Sequence, residues 1–203
     1  MTLLQINSGL QGAGSRSSQL ADSLVAALLS KAPGTKHIKR DLSLNPIPHL
    51  DQGTFQTFFD PEAAVTPSQR AGLSLSDALI AELNEADVLV LGAPMYNLTI
   101  PSTLKSWIDY VTRAGQTFRF GETGPVGLLE GKRAYVAIAQ GGRSLGTAAD
   151  LQTGYLESVL ALIGIVDVAF VYAQGLEMGP QAANAGLQTA HRTIRELAQA
   201  AFE

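Results

Sequence analysis

Residues 88–111 read VLVLGAPMYNLTIPSTLKSWIDYV, and this stretch decides the fold. Val88–Leu91 is a continuous apolar run without polar alternation, which is typical of a strand covered by helices on both faces. Pro101 suits the first position of a helix. The helix then carries an apolar stripe at helical spacing: Leu104, Trp107, Ile108 and Val111. The stretch predicts a parallel α/β sheet, in which the loop 93–102 lies at the carboxyl end of a strand, where ligands bind.

Four further segments predict the other strands of this sheet. They are Leu3–Ile6, Thr35–Asp41, Arg133–Ala139 and Val166–Ala173. Apolar stripes at helical spacing lie between them, so about five strands alternate with about five helices. This alternation predicts a doubly wound five-stranded parallel sheet, and the flavodoxin-like order 2-1-3-4-5 fits it best. We expect residues 1–203 to form a single domain, with a long Pro-rich excursion over residues 44–67.

The composition excludes several classes of protein. The chain has 203 residues, 46% of them hydrophobic, which is enough to bury a continuous core. It has no Cys, and its three His residues show no ligand spacing, so we expect neither a thiol nucleophile nor a metal site. The net charge of −4 argues against nucleic acid as a partner. Any redox chemistry therefore has to come from an organic cofactor.

Nothing in the sequence predicts a membrane partner. No run of about eighteen apolar residues occurs, and the first residues lead directly into a strand, so we expect a soluble, cytoplasmic protein. The local basic cluster of Lys36, Lys39 and Arg40 lies on a predicted edge strand, where Lys commonly prevents pairing with other strands. We interpret this cluster as structural.

The loop after the first strand is typical of an anion site. Gly9, Gly12, Gly14 and Ser15-Arg16-Ser17 precede a helix, so backbone N–H groups, hydroxyls and a guanidinium come together at its start. The sequence matches neither GxxxxGK[ST] nor GxGxxG, which argues against ATP and against a dinucleotide. A monophosphate fits better. The alternative is a flexible loop with Ser as the N-cap of the helix.

Two further loops offer contacts to a flat, partly polar ring. Met95, Tyr96 and Leu98 are bulky and apolar, Asn97 both donates and accepts hydrogen bonds, and Pro94 stiffens the turn. Alternatively, Met95 and Tyr96 only cover the core. Residues Ala139-Gln140-Gly141-Gly142 follow the fourth predicted strand and supply an amide side chain and backbone N–H groups, although this segment could also be an ordinary turn.

The predicted strand order brings these three loops together at one crevice. One loop suits a phosphate, one suits the face of a heterocycle, and one suits its polar edge. This combination is typical of a flavin mononucleotide (FMN) site.

Along nearly its whole length the chain resembles the FMN-dependent NADH azoreductases of bacteria, a family also described as NADH:quinone oxidoreductases. The resemblance rests on these segments: Ser15–Ser17, Arg40–Leu42, Asn45–Pro48, Pro94–Asn97, Ile100–Ser102 with Trp107–Asp109, Arg113–Gly115 with Thr117–Phe120, and Leu162–Ile165. It implies a flavodoxin-like homodimer with one FMN bound non-covalently in each subunit, near the subunit interface.

The resemblance also assigns roles to individual residues. It implies that Ser15, Arg16 and Ser17 hold the phosphate, that Met95–Leu98 line the isoalloxazine, and that Ala139–Gly142 meet its pyrimidine end. Three positions depart from the family pattern. Gly9 and Leu98 stand where Ser and Phe are usual, and Ala139-Gln140 stands where Ser-Arg is frequent. If the residues at these three positions contact FMN mainly through their backbone atoms, the departures leave FMN binding intact.

The reaction implied is of the ping-pong type. NADH or NADPH gives a hydride to N5 of the flavin and leaves, and a quinone or an azo compound then takes the same place and receives the hydride. Cleavage of an azo compound to amines needs two rounds. No side chain acts as a catalytic nucleophile. Phe118 and Phe120 are expected in the substrate pocket, whereas Phe55, Phe58 and Phe59 could cover the pocket or pack at a dimer interface.

Two other functions remain open from the sequence. A flavodoxin-type electron carrier, without a small-molecule substrate of its own, would share the sheet and the FMN. Such carriers are usually strongly acidic, whereas the charge here is mild. A purely structural α/β module is the second alternative.

Overall fold

The structure is a computed structural model that describes residues 1–201. Its strands are β1 (Thr2–Asn7), β2 (Lys36–Asp41), β3 (Val88–Pro94), β4 (Phe118–Gly121), β5 (Gly124–Gly127), β6 (Arg133–Ala139) and β7 (Asp167–Ala173). Its helices are α1 (Arg16–Lys31), α2 (Gln52–Phe59), α3 (Pro67–Glu85), α4 (Ser102–Val111), α5 (Leu151–Leu162) and α6 (Pro180–Ala200). The predicted strands and helices thus form, with ends shifted by a few residues.

Five strands form a parallel sheet in the order β2-β1-β3-β6-β7. When only the strands of this sheet are counted, the order is 2-1-3-4-5, so the predicted flavodoxin-like topology is confirmed. β2 is an edge strand, as predicted. Its cations pair with carboxylates on neighbouring helices: Lys36 with Glu85, Lys39 with Asp22, and Arg40 with Glu82.

The core consists of two apolar layers, one on each face of the sheet. Because successive strand residues point to opposite faces, Leu4 and Leu89 belong to one layer, while Leu3 and Val90 belong to the other. The first layer is covered by α3, α4 and α5, and the second by α1 and α6. This is the arrangement expected for strands that read as continuous apolar runs.

Two elements were not predicted. The segment 118–127 forms an antiparallel hairpin of β4 and β5, outside the main sheet. Gly124, at φ 137°, supplies a turn conformation that other residues rarely adopt. The Pro-rich excursion contains α2, whose start is fixed by the Asp51 side chain, which accepts a hydrogen bond from the N–H of Thr54.

Helix ends agree closely with the sequence signals. Pro101 is the N-cap of α4, one position before the first helical residue. Gly164 follows the C-cap of α5 at φ 102°, the left-handed conformation expected of a glycine that stops a helix. None of the helices within residues 1–201 is long and apolar enough to cross a membrane.

Candidate active site

Three loops at the carboxyl edge of the sheet line one cavity of about 350 Å³. They follow β1, β3 and β6, which are neighbours in the sheet. The predicted site residues in its lining are Ser15, Arg16, Pro94, Met95, Tyr96, Ala139, Gln140 and Gly141. The predicted meeting of the three loops is thus observed, and the cavity has the size of small-molecule sites in other proteins.

Ser15, at the start of α1, forms the polar end of this cavity, and Ser17 lies directly beside it. Ser15 is the N-cap, but its side chain makes no capping hydrogen bond to a backbone N–H of the helix. Its Oγ lies 3.1 Å from Oγ of Ser17, and both side chains are buried. The N–H groups of the first helical turn have no acceptor within the helix, and the helix dipole is positive at this end. Hydroxyls and N–H groups are therefore available to an anion.

Gly9 packs against Ser15 and leaves room for the Ser15 side chain beside Ser17. A Cβ at position 9 would lie 1.9 Å from Oγ and 2.5 Å from Cβ of Ser15. Any side chain at this position would displace Ser15. The packing of this chain therefore accounts for a glycine where the family usually has Ser.

Arg16 supplies positive charge beside the serines. Its Nη1 donates to Oε1 of Gln19 at 3.2 Å, and Nε2 of Gln19 donates to the carbonyl of Ala13 at 2.9 Å. The guanidinium is exposed, and Gln19 is a neutral partner. Its charge is thus available to a bound anion.

A polar network beneath the first loop joins β1 to α1. The buried Gln5 donates from Nε2 to Asp22 at 2.5 Å and to Asn7 at 3.1 Å, and Lys39 donates to Asp22 at 2.6 Å. Burial alone would raise the pKa of Asp22, but the hydrogen bonds from Lys39 and Gln5 outweigh it and lower the pKa below its ordinary value. The ionised carboxylate therefore helps to hold α1, and with it the first loop.

The loop after β3 contains a strained two-residue turn. Tyr96 and Thr99 exchange backbone hydrogen bonds of 2.9 and 3.1 Å, and the residues between them, Asn97 and Leu98, have φ of 51° and 71°. Positive φ at both central positions defines a type I′ turn, where Gly and Asn are preferred and Leu is strained. Such strain is concentrated at functional sites.

Hydrogen bonds connect the second loop to the other two. The hydroxyl of Tyr96 accepts from the N–H of Leu10 at 3.2 Å, and the N–H of Met95 donates to the carbonyl of Ala139 at 2.9 Å. Because the Met95 N–H is already engaged, its contribution to a ligand is its apolar side chain. The three loops therefore form one connected surface.

The third loop is fixed by the segment that follows β7. The N–H of Gln140 donates to the carbonyl of Ala173 at 2.9 Å, and the carbonyls of Gln140 and Gly141 accept from the N–H groups of Leu176 and Glu177. The Gln140 side chain is 1% exposed, and within residues 1–201 its Nε2 has no hydrogen-bond partner. An unpaired buried donor in a cavity wall is costly unless a ligand accepts its hydrogen bond.

Several predicted site residues lie outside the lining of this cavity. Gly9 and Ser17 support Ser15 from behind, and Gly142 lies in the bonded third loop. Asn97 lines a second cavity of about 530 Å³. Tyr96 belongs to both cavities.

The second cavity combines apolar residues with two polar side chains of α4 and α5. Lys105 forms an ion pair with Asp109, and Tyr155 lies nearby. Burial, followed by the negative charge of Asp109, raises the pKa of Tyr155, so its hydroxyl stays protonated at neutral pH.

The aromatic residues predicted for substrate contact are placed differently from one another. Phe118 and Phe120 form an edge-to-face pair, with centroids 5.5 Å apart, in the β4–β5 hairpin outside the linings of both cavities. Phe58 is part of the core, against Tyr110. Phe55 and Phe59 are exposed and form a pair of their own.

One wall of the cavity was not predicted from the sequence. Its remaining lining residues are Gln11, Leu176, Glu177, Ala183 and Leu187. Most belong to the loop after β7 and to α6, and β7 is next to β6 in the sheet. The predicted strand order already contained this signal, because the loop after β7 also ends at the carboxyl edge.

The cavity is suited to a group that has an anion at one end and a ring with polar edges at the other. β1 and β6 are separated by β3, so the ends of these two strands, from which the first and third loops start, lie about two strand spacings, or about 10 Å, apart. Met95, Tyr96 and Leu187 offer apolar surface between polar groups. The unpaired Nε2 of Gln140 and the serine hydroxyls fit FMN.

Fold and cavity together define a protein of the flavodoxin-like class, and the family described as "Flavodoxin-like fold" matches residues 1–198. An FMN-dependent NADH:quinone oxidoreductase 6 of Burkholderia lata is 47% identical over 193 residues, covering 95% of this chain and 98% of the relative. An FMN-dependent NADH:quinone oxidoreductase of Dechloromonas aromatica is 46% identical over 197 residues, covering 97% of this chain and 99% of that one.

Among solved structures, an azoreductase from Bacillus anthracis superimposes with a TM-score of 0.86 at 26% identity. The match covers 97% of this chain and 99% of that one. The chain belongs to the family of FMN-dependent NADH:quinone oxidoreductases, so the resemblance noted in the sequence is confirmed.

Proposed function

We propose that this protein binds one FMN per subunit and uses NADH or NADPH to reduce quinones and to cleave aromatic azo compounds to amines. The observation that carries the proposal is a single cavity with the start of α1 at one end and the unpaired amide of Gln140 at the other. The names of relatives that are 46–47% identical support the chemistry.

The proposed cofactor-binding residues come from all three loops. They are Gly9, Ser15, Arg16, Ser17, Pro94, Met95, Tyr96, Asn97, Leu98, Ala139, Gln140, Gly141 and Gly142. Ser15 and Ser17 donate hydroxyl hydrogen bonds to the phosphate, and the Arg16 guanidinium balances its charge. Met95 and Tyr96 hold the ring by apolar contact, and Gln140 meets its polar edge.

When bound, FMN supplies an atom, N5, that can accept a hydride and pass it on. The residues of the chain bind and orient rather than react. Protons come from water, because the cavity is open to solvent. NADH and the acceptor occupy the same place in turn, which makes the reaction ping-pong and its specificity loose.

Phe118 and Phe120 remain the proposed substrate-contacting aromatics. In one chain Phe120 is 75% exposed, so its ring is free to contact a substrate or a second subunit. We place them at the pocket of a cytoplasmic homodimer, where a second subunit brings further surface to the site. This assignment rests on the family resemblance.

The electron-carrier alternative is less well supported. The relatives named above are oxidoreductases with NADH and quinone as substrates. The second cavity next to Tyr96 also gives small molecules a place beside the first one. A carrier needs neither feature.

The visible spectrum of the purified protein tests the proposal. We expect two flavin bands after loading with FMN, bleached by anaerobic NADH and restored by a quinone. FMN with NADH but without protein is the control. A protein that acquires no flavin bands with added FMN would remove the proposed function. Bands that NADH and NADPH leave unchanged, with reduction only by a protein donor, would favour the electron carrier.

A further inference from the structure

Gln140 and Ser144 form a hydrogen-bonded pair in the cavity wall. Oγ of Ser144 donates to Oε1 of Gln140 at 2.9 Å, and both side chains are buried. Since Oε1 is occupied, the group left for a ligand is Nε2, which donates only. The pair therefore leaves one donor, Nε2, without a partner in the wall of the cavity.

Ser144 is itself held in place. Its carbonyl accepts from the N–H of Thr147 at 2.9 Å and from Oγ1 of Thr147 at 2.8 Å. The backbone of Gln140 is bonded on both sides, to Ala173 and Leu176. With both ends fixed, the carboxamide is held in one orientation before any ligand arrives.

A Gln side chain without such a partner can turn its amide over and present either its oxygen or its nitrogen. The Ser144 hydroxyl disfavours the turned-over amide, because a hydroxyl that accepted from Nε2 would leave its own proton without a good acceptor. Its second neighbour is Sδ of Met95, at 3.9 Å, a weak acceptor that competes little for the hydroxyl proton.

We infer that Gln140 donates a hydrogen bond from Nε2 to an acceptor atom of the FMN ring, and that Ser144 is the positioning residue that fixes this donor. The inference rests on the proposed binding of FMN. The ring, rather than the phosphate, is the partner, because the proposed phosphate site lies in the loop after β1, and β3 separates β1 from β6. Gln140 replaces the Arg that is frequent in the family, so the donor is a neutral one specific to this chain.

The test measures dissociation constants of FMN and of riboflavin, which has the ring without the phosphate, by fluorescence titration of the apoprotein. Gln140→Met keeps the length of the side chain and removes the donor. We expect it to raise the dissociation constants of both ligands about five- to twentyfold. Gln174→Met is the matched control, since Gln174 accepts from the N–H of Leu145 but lies outside this cavity. It should change either constant less than twofold.

Ser144→Ala and the double variant separate positioning from simple structural support. Ser144→Ala should raise both dissociation constants about two- to fivefold. Because Ser144 acts only through Gln140, the double variant, which carries both substitutions, should bind each ligand as tightly as Gln140→Met alone does. Gln140→Glu, measured at pH 8.5 so that the carboxylate is ionised, should bind more weakly than Gln140→Met, because it offers acceptors alone.

The outcomes distinguish this inference from the proposed function. If the wild-type protein binds neither ligand, the proposed function fails. If the wild type binds FMN and Gln140→Met binds it equally tightly, the inference alone fails. It also fails if the effect is absent with riboflavin, if the two substitutions are additive, or if Gln140→Glu binds as tightly as the wild type.

Discussion

The two ends of the cavity are built in different ways. At the end proposed to hold the phosphate, called the phosphate end below, residues 9–17 depend on side-chain packing, with Gly9 against Ser15, and on a polar network. At the ring end, the third loop is held by backbone hydrogen bonds to the segment after β7. The phosphate end should therefore be sensitive to added side-chain bulk and to pH, while the ring end should tolerate added bulk that leaves its backbone and the Gln140–Ser144 pair intact.

Gly9→Ala should have the largest effect of the substitutions that test this comparison. The new Cβ would displace Ser15, and overpacking of this kind typically costs about 1–3 kcal/mol. We expect FMN binding to weaken about ten- to a hundredfold, and riboflavin binding to change much less, by fluorescence titration.

Gly142→Ala is the counterpart at the ring end. A Cβ at Gly142 would meet no atom of the chain within 4 Å, and alanine keeps the backbone through which Gly142 is proposed to contact FMN, so FMN affinity should stay within about twofold of the wild type. Equal losses for the two alanine variants would contradict the contrast between the two ends.

Arg16→Ala should have the next largest effect. It removes a charge-assisted contact to the phosphate, so we expect FMN affinity to fall about tenfold at low salt, with a smaller ratio at high salt and no change for riboflavin. The matched control is Arg192→Ala, another exposed arginine, on α6, which pairs with Glu196 and lies outside this cavity. An Arg16→Ala effect that is the same for FMN and riboflavin would place Arg16 away from the phosphate.

The sequence predicted the fold and the meeting of the three loops, but not the wall that the loop after β7 and α6 contribute. Continuous apolar strands and the spacing of Leu104, Trp107 and Ile108 follow directly from burial, and a Gly/Ser loop before a helix brings hydroxyls and backbone N–H groups together. The unpaired amide of Gln140 could not be predicted, because it depends on the position of Ser144 in three dimensions. The β4–β5 hairpin was missed because its strands are short and lie outside the main sheet.

Between the two ends, Leu98→Gly should stabilise the protein by up to about 1 kcal/mol. Leu98 is held at φ 71° and is 53% exposed, so glycine relieves backbone strain and loses little apolar burial. Urea unfolding measures the free energy of unfolding. Leu145→Gly is the control, since Leu145 is also an exposed loop residue but is not at positive φ, and it should destabilise. Loss of stability in both variants would show that Leu98 is held by contacts stronger than its strain.

The smallest expected effect is the pH dependence of the support beneath the phosphate end. Because the hydrogen bonds from Lys39 and Gln5 lower the pKa of Asp22 in the folded state, its stabilising contribution is present above the unfolded pKa, near 3.8. The contribution is lost as the pH falls through the lower folded value. Asp22→Asn, which cannot ionise, should therefore be less stable than the wild type at pH 6, and this difference should shrink at pH 3.

Asp22 is about half exposed, so solvent screening limits the difference at pH 6 to about 0.5 kcal/mol. Urea unfolding of both proteins at the two pH values measures it, and Asp167→Asn is a suitable reference, because Asp167 pairs with Arg133 at the opposite, amino-terminal end of the sheet. If the polar network positions the first loop, Asp22→Asn should also lower the affinity for FMN slightly at pH 6, while Asp167→Asn should leave this affinity unchanged. A difference between Asp22→Asn and the wild type that does not shrink at pH 3 would mean that the carboxylate charge contributes nothing to the support of that loop.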